Sequence, residues 1–546
     1  MSPVQFTLLP DLSRKAKCSG ADASPYICRF IKLSLYILNM KKIALLIAFS
    51  ALVFSIQAKP RFITYEKYGA KGDGVTDDMP AIVAAHAAAN AKGLPVKATA
   101  GKTYYISNSP LTAEIRTDTD FGNASFIIDD VGVEEIRRPV FKVCADEEPF
   151  EVKGVRTLYR GQTNLGVGLP CRCLVEVINN DHKVFIRKGL NQNAGTAQKE
   201  VLLVSEDGSI DPSTPVVFDY DKITSIKAIP VNEKPITIKG GTFTTIANQY
   251  ESVYKYHSRG ITVERSGTRL EGITHLVSGE GDHGAPYRGF IYLNHVADVV
   301  VSDCLMTGHK TYVTAAGAAG LPVSMGTYDL EAHSCAQVLW KNCRQTNDID
   351  DKTYWGTFTS NFCKNMQLEG CVLSRFDAHQ SATNVTLRNC VFGHQGVQVV
   401  GFGTLILENC EIRRERMINL RRDYGSTWEG NVIIRNCTLR SYSQKNDISI
   451  LYGSNDGSHD FGYPCQLPSS VVIEGLLIDD SEAAEFEGYT GPSVFISFGR
   501  TPGQAEPFPF GTKCNITLKG ISVVSRKPLV IARNPDAFPG LVVVWE

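Results

Sequence analysis

Between residues 327 and 390 the chain repeats itself three times, as TYDLEAHSCAQVLWKNC, TFTSNFCKNMQLEGC and SRFDAHQSATNVTLRNC. Each block is a short alternating strand, a second strand of the form apolar-x-apolar, and a terminal Asn-Cys or Gly-Cys. A block this small cannot bury its own apolar face, so successive blocks must stack. Related units flank the three, among them ITIKGGTF, GITVERS, VADVVVSDC, GTLILENC, NVIIRNC and SVVIEG. The pattern predicts an all-β solenoid from residue 236 to 546, whose chemistry is to be sought down columns of the stack.

The cysteines follow the same repeat. Of 15, all but Cys18 and Cys28 lie after Ala58. Cys304, Cys343, Cys371, Cys390, Cys410 and Cys437 each follow Asp, Asn or Gly at the end of a block, which predicts an unpaired ladder in the core. Cys144, Cys171 and Cys173 lie outside the repeat and are the better disulfide candidates. The ladder intervals of 39, 28, 19, 20 and 27 residues mean that short coils alternate with coils carrying loops. Long loops on one side of a stack wall a binding face.

Residues 40–58, MKKIALLIAFSALVFSIQA, have two lysines, an apolar run and a small residue at Ala58, the layout of a secretory signal peptide. Cleavage there makes the protein periplasmic or secreted, and sets residues 1–39 aside as a segment upstream of a better start at Met40. The apolar run falls short of the ~20 residues that span a bilayer. A formal net charge of −1 argues against bulk binding to nucleic acid or an anionic membrane.

From Tyr68 the chain reads YGAKGDGVTDDMPAIVAAHAAANAKG. Asp77 or Asp78 can cap a helix that runs to about Lys92, where Gly93 stops it. The GAxGDGxxDD segment resembles the opening of the pectate-lyase-like superfamily of right-handed parallel β-helix proteins. That resemblance implies a right-handed parallel β-helix with an N-terminal capping helix over residues 59–110, and structural roles for Asp73, Asp77 and Asp78. It leaves the reaction open, since lyases, glycoside hydrolases and phage tailspikes share the fold. Residues 111–235 are irregular and read as early coils with insertions or a small β subdomain.

Indexing the blocks on their terminal Cys puts Asn294, His333, Asn361 and His379 in one column, with one residue inserted at Ser381. Side chains two and four residues earlier share that face: Tyr292, Glu331, Thr359 and Asp377, then Phe290, Asp329, Thr357 and Arg375. An exposed outward sheet would thus carry Asp329-x-Glu331-x-His333 and, two rungs on, Arg375-x-Asp377-x-His379. At ~4.8 Å per rung, Glu331 and Asp377 are about 10 Å apart at the backbone. That is compatible with an acid/base pair holding a water, as inverting glycosidases do at roughly 6.5–9.5 Å. The neighbouring imidazoles can tune the carboxylates and relay a proton.

Substrate contacts are expected from Arg375, Thr359 and Asn361, and from His394 and Arg421 on later coils, because arginine forks suit the carboxylate of an acidic sugar. Residues 344–356, RQTNDIDDKTYWG, add Asp348, Tyr354 and Trp355, acids and aromatics that suit a carbohydrate cleft. The favoured reading is an exported glycoside hydrolase acting on a polysaccharide or oligosaccharide, with Glu331 and Asp377 as the acid/base pair, His333 and His379 supporting, and Asp329 as substitute. No cofactor or metal site is expected, as neither a P-loop nor a zinc pattern occurs.

The resemblance also implies two alternatives. One is a lyase in which Arg375, His379 or Lys352 abstracts a proton beside a uronate and the Asp348 loop holds calcium. The other is a non-catalytic glycan-binding, tailspike-like protein. The Asn-Thr-Asp, Gly-His-Gly and Arg-Ile-Lys series of polygalacturonase-type hydrolases is missing; Gly393-His394-Gln395-Gly396 is a faint echo of it.

Overall fold

The computed structural model describes residues 62–546 except 189–191, 233, 318–319, 456, 458 and 497–506. The leader at 40–58 and the segment before it lie outside the described residues. Each strand pairs in parallel with one a turn later, giving a 32-stranded sheet that winds as a parallel β-helix with three faces. The first face stacks Ile261–Glu264, Ile291–Asn294, Leu330–His333 and Phe358–Asn361. The second stacks Ala297–Ser302, Ala336–Lys341 and Lys364–Glu369. Thr274–Ser278, Leu305–Met306 and Arg344–Gln345 belong to the third.

The Asn-Cys and Gly-Cys signature is a corner. Asp303, Asn342, Asn389, Asn409 and Asn436 all have φ between 49° and 55°, and Gly370 has 65°. This left-handed region is cheap only for Gly and, through local hydrogen bonding, for Asn and Asp. The corner side chains also bond between rungs: Asn342 Nδ2 donates to Asp303 Oδ1 at 3.0 Å and Asn409 Nδ2 to Asn389 Oδ1 at 3.2 Å. Immediately after the corner the chain turns inward, so the next residue must be small and apolar. There the six ladder cysteines are buried and free. Each thiol donates to the carbonyl two residues earlier, as Cys390 does to Arg388 at 3.1 Å. Contacts between adjacent thiols, together with burial, push Cys390 and Cys410 up to about 12, which keeps them protonated and inert.

Cys144, Cys171 and Cys173, expected in disulfides, are free as well. Cys171 and Cys173 approach only to 3.7 Å between sulfurs, well beyond the ~2.05 Å of a disulfide. The Cys144 thiol donates to the Lys142 carbonyl instead.

The helix Met79–Lys92 covers the first coil with Met79, Ile82, Ala85, His86 and Ala89, and ends at Gly93 with φ 60°. The acids before it hold turns. Asp78 accepts from the Lys71 and Gly72 amides at 2.6 and 3.0 Å, so its carboxylate pins the Gly-Asp-Gly turn and does not cap the helix. Asp77 accepts from the Met79 amide at 3.2 Å, and Asp73 from Val75 and Thr76.

Between Cys144 and Ile236 the chain leaves the solenoid and forms a separate four-stranded antiparallel sheet of Phe150–Glu151, Ser225–Pro230, Cys173–Val184 and Thr196–Val204. This sheet packs Leu174, Val201 and Leu203 on Ala297 and Ala336, the first residues of two second-face strands. A buried ion pair, Lys364 with Glu200, ties it down. The Glu200 carboxylate also accepts the Val217 and Phe218 amides, so neither charge is left uncompensated. No helix among the described residues is long and apolar enough to cross a membrane.

A β-branched residue at a corner meets the full left-handed penalty, ~1–2 kcal/mol. Asn409→Val should therefore lower the urea midpoint by that equivalent, whereas Asn409→Gly should lose only the amide ladder contact; equilibrium unfolding of the two variants checks this.

Candidate functional site

The first face carries the polar columns. Loops 247–260, 307–329 and 346–357 join the third face to it. The inserted sheet reaches its other end, where Glu176 and Lys199 contact His295 and His333. Register runs Tyr292↔Glu331↔Thr359 down one column and Asn294↔His333↔Asn361 down the next. The chain then slips by one: Ser360 pairs with Ala378 but Asn361 pairs with Gln380. His379 nonetheless stays beside Asn361, its Nδ1 3.1 Å from Asn361 Oδ1. The first column continues Asp377↔Gln398↔Asn419.

The expected columns thus form, but the face is not exposed. Glu331, Thr359, Asp377 and Arg375 are all buried, with Arg288, in the loop of the preceding coil, on Glu331 and Arg421 of a later coil on Asp377. Asp329 and Thr357 do not face outward at all. Both precede their strands, which begin at Leu330 and Phe358, so strand alternation does not apply to them. Thr357 bonds to Gln345 and Asp329 bonds to His275 on the third face, both within the corner. Asp329 is fully buried and cannot substitute for a carboxylate of the first face.

Asp377 is locked. Arg421 Nη1 lies 2.7 and 3.0 Å from its two oxygens, and Arg375 Nη2 holds the second oxygen. Burial by itself would raise its pKa, but the two guanidiniums outweigh burial and hold it below the usual carboxylate value. Arg421 continues to Asp423, which pairs with Arg187 of the inserted segment at 3.1 Å. Asp377 is therefore a permanent anion that fixes two arginines. Of the expected Glu331–Asp377 acid/base pair, Asp377 is thus unsuited to be the proton donor.

Glu331 differs. Its one charged partner is Arg288, Nε to Oε1 at 2.9 Å. Burial raises its pKa and the guanidinium offsets only part of that. Arg288 also bonds the Tyr292 hydroxyl at 2.8 Å and lies 4.4 Å over its ring. From Tyr292 a chain of contacts runs through Asn294 Oδ1 to His295, and from His295 Nε2 to Glu176 at 2.9 Å. Lys199 Nζ donates to His333 Nε2 at 3.1 Å and lies 3.8 Å from Glu176. For Glu176, burial raises the pKa but the His295 bond and the nearby cations outweigh it, leaving the group below its ordinary value. One network thus holds a carboxylate pushed up and a carboxylate pushed down. His333 is held neutral by burial and the Lys199 charge.

The remaining expected residues are spread along the face. His379 is neutral, its pKa lowered to about 3 by burial first and by the Arg421 charge, and it bonds Tyr424 at 3.2 Å. Trp355 lies 5.1 Å from the Arg375 guanidinium. Tyr354 bridges to Lys310 in the neighbouring loop. The Asp348 carboxylate is spent on a turn, accepting from the Asp350 amide, and Asp350 pairs with Arg413. His394 Nδ1 bonds the Ile349 carbonyl. Buried groups with no protein partner along this face include His333 Nδ1, Arg375 Nε, His394 Nε2 and Asn419 Oδ1.

Sequence reasoning missed Arg288, Tyr292 as a polar link, His295, Glu176 and Lys199. Tyr292 stood in an indexed column, whereas His295 lies one residue past its strand, where alternation gives no placement. Glu176 and Lys199 carried no signal, because the inserted strands have no repeat to index against.

No protein-family model and no curated protein matches the sequence. Among solved structures, the tailspike gp61 of Pseudomonas phage phi297 superimposes with a TM-score of 0.50 at 11% identity, over 87% of this chain and 84% of that one. The shared fold is the parallel β-helix. Lesser likenesses are a tailspike of E. coli bacteriophage HK620 in complex with a pentasaccharide (TM-score 0.44, 9% identity, 88% and 80% covered) and the Streptococcus pneumoniae surface protein and adhesin PfbA (0.40, 11%, 89% and 100%).

The stability that Asp377 contributes carries a defined sign. Its folded pKa is depressed, so the contribution is complete above the unfolded value of about 3.9 and is lost as pH falls through the lower folded value. Thermal unfolding of the wild type should weaken steeply below pH ~4. Asp377→Asn should cost about 3–5 kcal/mol at neutral pH and flatten that acid limb.

Proposed function

We propose that this protein is an exported glycoside hydrolase for an acidic polysaccharide, working over the first face with Glu331 as proton donor. The observation that carries the reading is the opposite displacement of Glu331 and Glu176 within one network, the arrangement that separates an acid from a base. Glu331, held towards its protonated form, gives a proton to the leaving glycosidic oxygen. Glu176 stays ionised and serves as base or as the charge that steadies the developing oxocarbenium. His333 and Lys199 lie between them and orient the sugar. His333, two residues along the strand from Glu331, is ~7 Å away at the backbone. Arg288 and the unpartnered Arg375 Nε suit a uronate carboxylate. Export rests on the leader at 40–58.

A non-catalytic glycan-binding protein is the second reading, and the locking of Asp377 favours it: the residue best placed to pair with Glu331 across the face is committed to two arginines. A lyase with calcium in the Asp348 loop has less support, because Asp348 and Asp350 are engaged in a turn and an ion pair.

The test is a screen of acidic and neutral polysaccharides with reducing-end release and near-ultraviolet absorbance as readouts. Wild type should release reducing ends from an acidic glycan, with a rate that falls as pH rises through the raised Glu331 value. Glu331→Gln should lose ~10²–10⁴-fold in rate while still binding. Binding without product in wild type sinks the hydrolase reading in favour of the binding one, and an unsaturated product points to a lyase. Arg288→Met should weaken binding of the acidic glycan in low salt far more than in high salt.

A further inference from the structure

The corner that removed Asp329 from the first face assembles another kind of site. His275 from the third face, His309 from the loop after it, and Asp329 at the head of the first face bring His275 Nδ1, His309 Nε2 and an Asp329 oxygen within 4.8 Å of one another. All three residues are buried. Both rings are fixed by stacking, His275 on Phe290 at 3.8 Å and 7°, and His309 on Tyr287 at 4.5 Å and 16°. Each imidazole has its other nitrogen held from behind, His309 Nδ1 by Glu280 at 3.2 Å and His275 Nε2 by Thr245 at 2.9 Å. Such outer partners set the tautomer and turn the other nitrogen, which here contacts Asp329, toward a metal. The Thr307 amide, at 2.9 Å, holds the second Asp329 oxygen.

The geometry points to a buried site for a first-row divalent cation of zinc type, bound by His275, His309 and Asp329. Two imidazoles and one carboxylate are borderline ligands that suit zinc over calcium or magnesium. Ligands at ~2.1 Å around a tetrahedral ion stand about 3.4 Å apart. His309 Nε2 and Asp329 Oδ1 already have that separation, at 3.4 Å, while His275 Nδ1, at 2.7 Å, must withdraw by about 0.7 Å to reach it. The charges also balance, since a divalent cation with two neutral imidazoles matches Asp329 and Glu280, and the adjacent Arg259 is neutralised by Asp130 at 3.0 Å. The free space between these residues is about 10 Å³, too little for a substrate. The ion would therefore be structural, stapling the root of the 307–329 loop to the third face.

The test uses the full chain, stripped with a chelator and dialysed against zinc. Wild type should keep one equivalent and unfold at a higher temperature with zinc than without. His309→Gln and Asp329→Asn, first checked for an intact β spectrum, should keep none and show no zinc-dependent shift. Cobalt in wild type should give visible d–d bands without thiolate charge-transfer absorption. Wild type that retains neither zinc nor cobalt overturns the assignment without recourse to any variant. So does a thiolate band, which would place the metal on the cysteines, and so does zinc retained by both folded variants.

Discussion

Every rung of this protein depends on a left-handed corner. The chain must turn from the second face to the third within one residue, and only Gly, Asn or Asp takes that conformation cheaply. The corner at Asp303, Asn342, Gly370, Asn389, Asn409 and Asn436 sets the register of the strands after it. Because it recurs at the same place in each turn, side chains on the first face line up in columns, and Glu331 comes to lie between Tyr292 and Thr359.

Columns alone do not make a site. An uncovered outward column of polar residues is a solvated surface with ordinary pKa values. The inserted antiparallel sheet and the loops before the first face change this by removing water. Once water is excluded, Glu331 with a single guanidinium partner is pushed up, Asp377 with two is pulled down, and Glu176 is held ionised by His295 and Lys199. The same burial makes the Asp329 corner a closed cluster and takes it away from the first face.

Legibility followed periodicity. The helix at Met79–Lys92, the cysteine ladder and the columns through Glu331, His333 and Asn361 could be read because a local signal or a repeat announced each of them. Asp329 was misplaced because strand alternation was extended one residue past the strand start, into a corner where the side chain turns inward. The expected disulfides failed because Cys171 and Cys173 are close in sequence but poorly spaced for a bond. Ser381 marked the slip beside His379, and that residue does have a positive φ of 48°.

The solenoid was legible from local pattern: the stacking, the corners, the apolar ladder and which residues share a column. All of these arise from local backbone preference and from the need of each block to bury its face. Which carboxylates are shifted in proton affinity depends on the tertiary structure, because that affinity follows the number of charges and the amount of water around a group. For Glu331 the charge comes from Arg288, in the loop of the preceding coil, and for Glu176 from His295 and Lys199. For Asp377 it comes from Arg421, on a later coil.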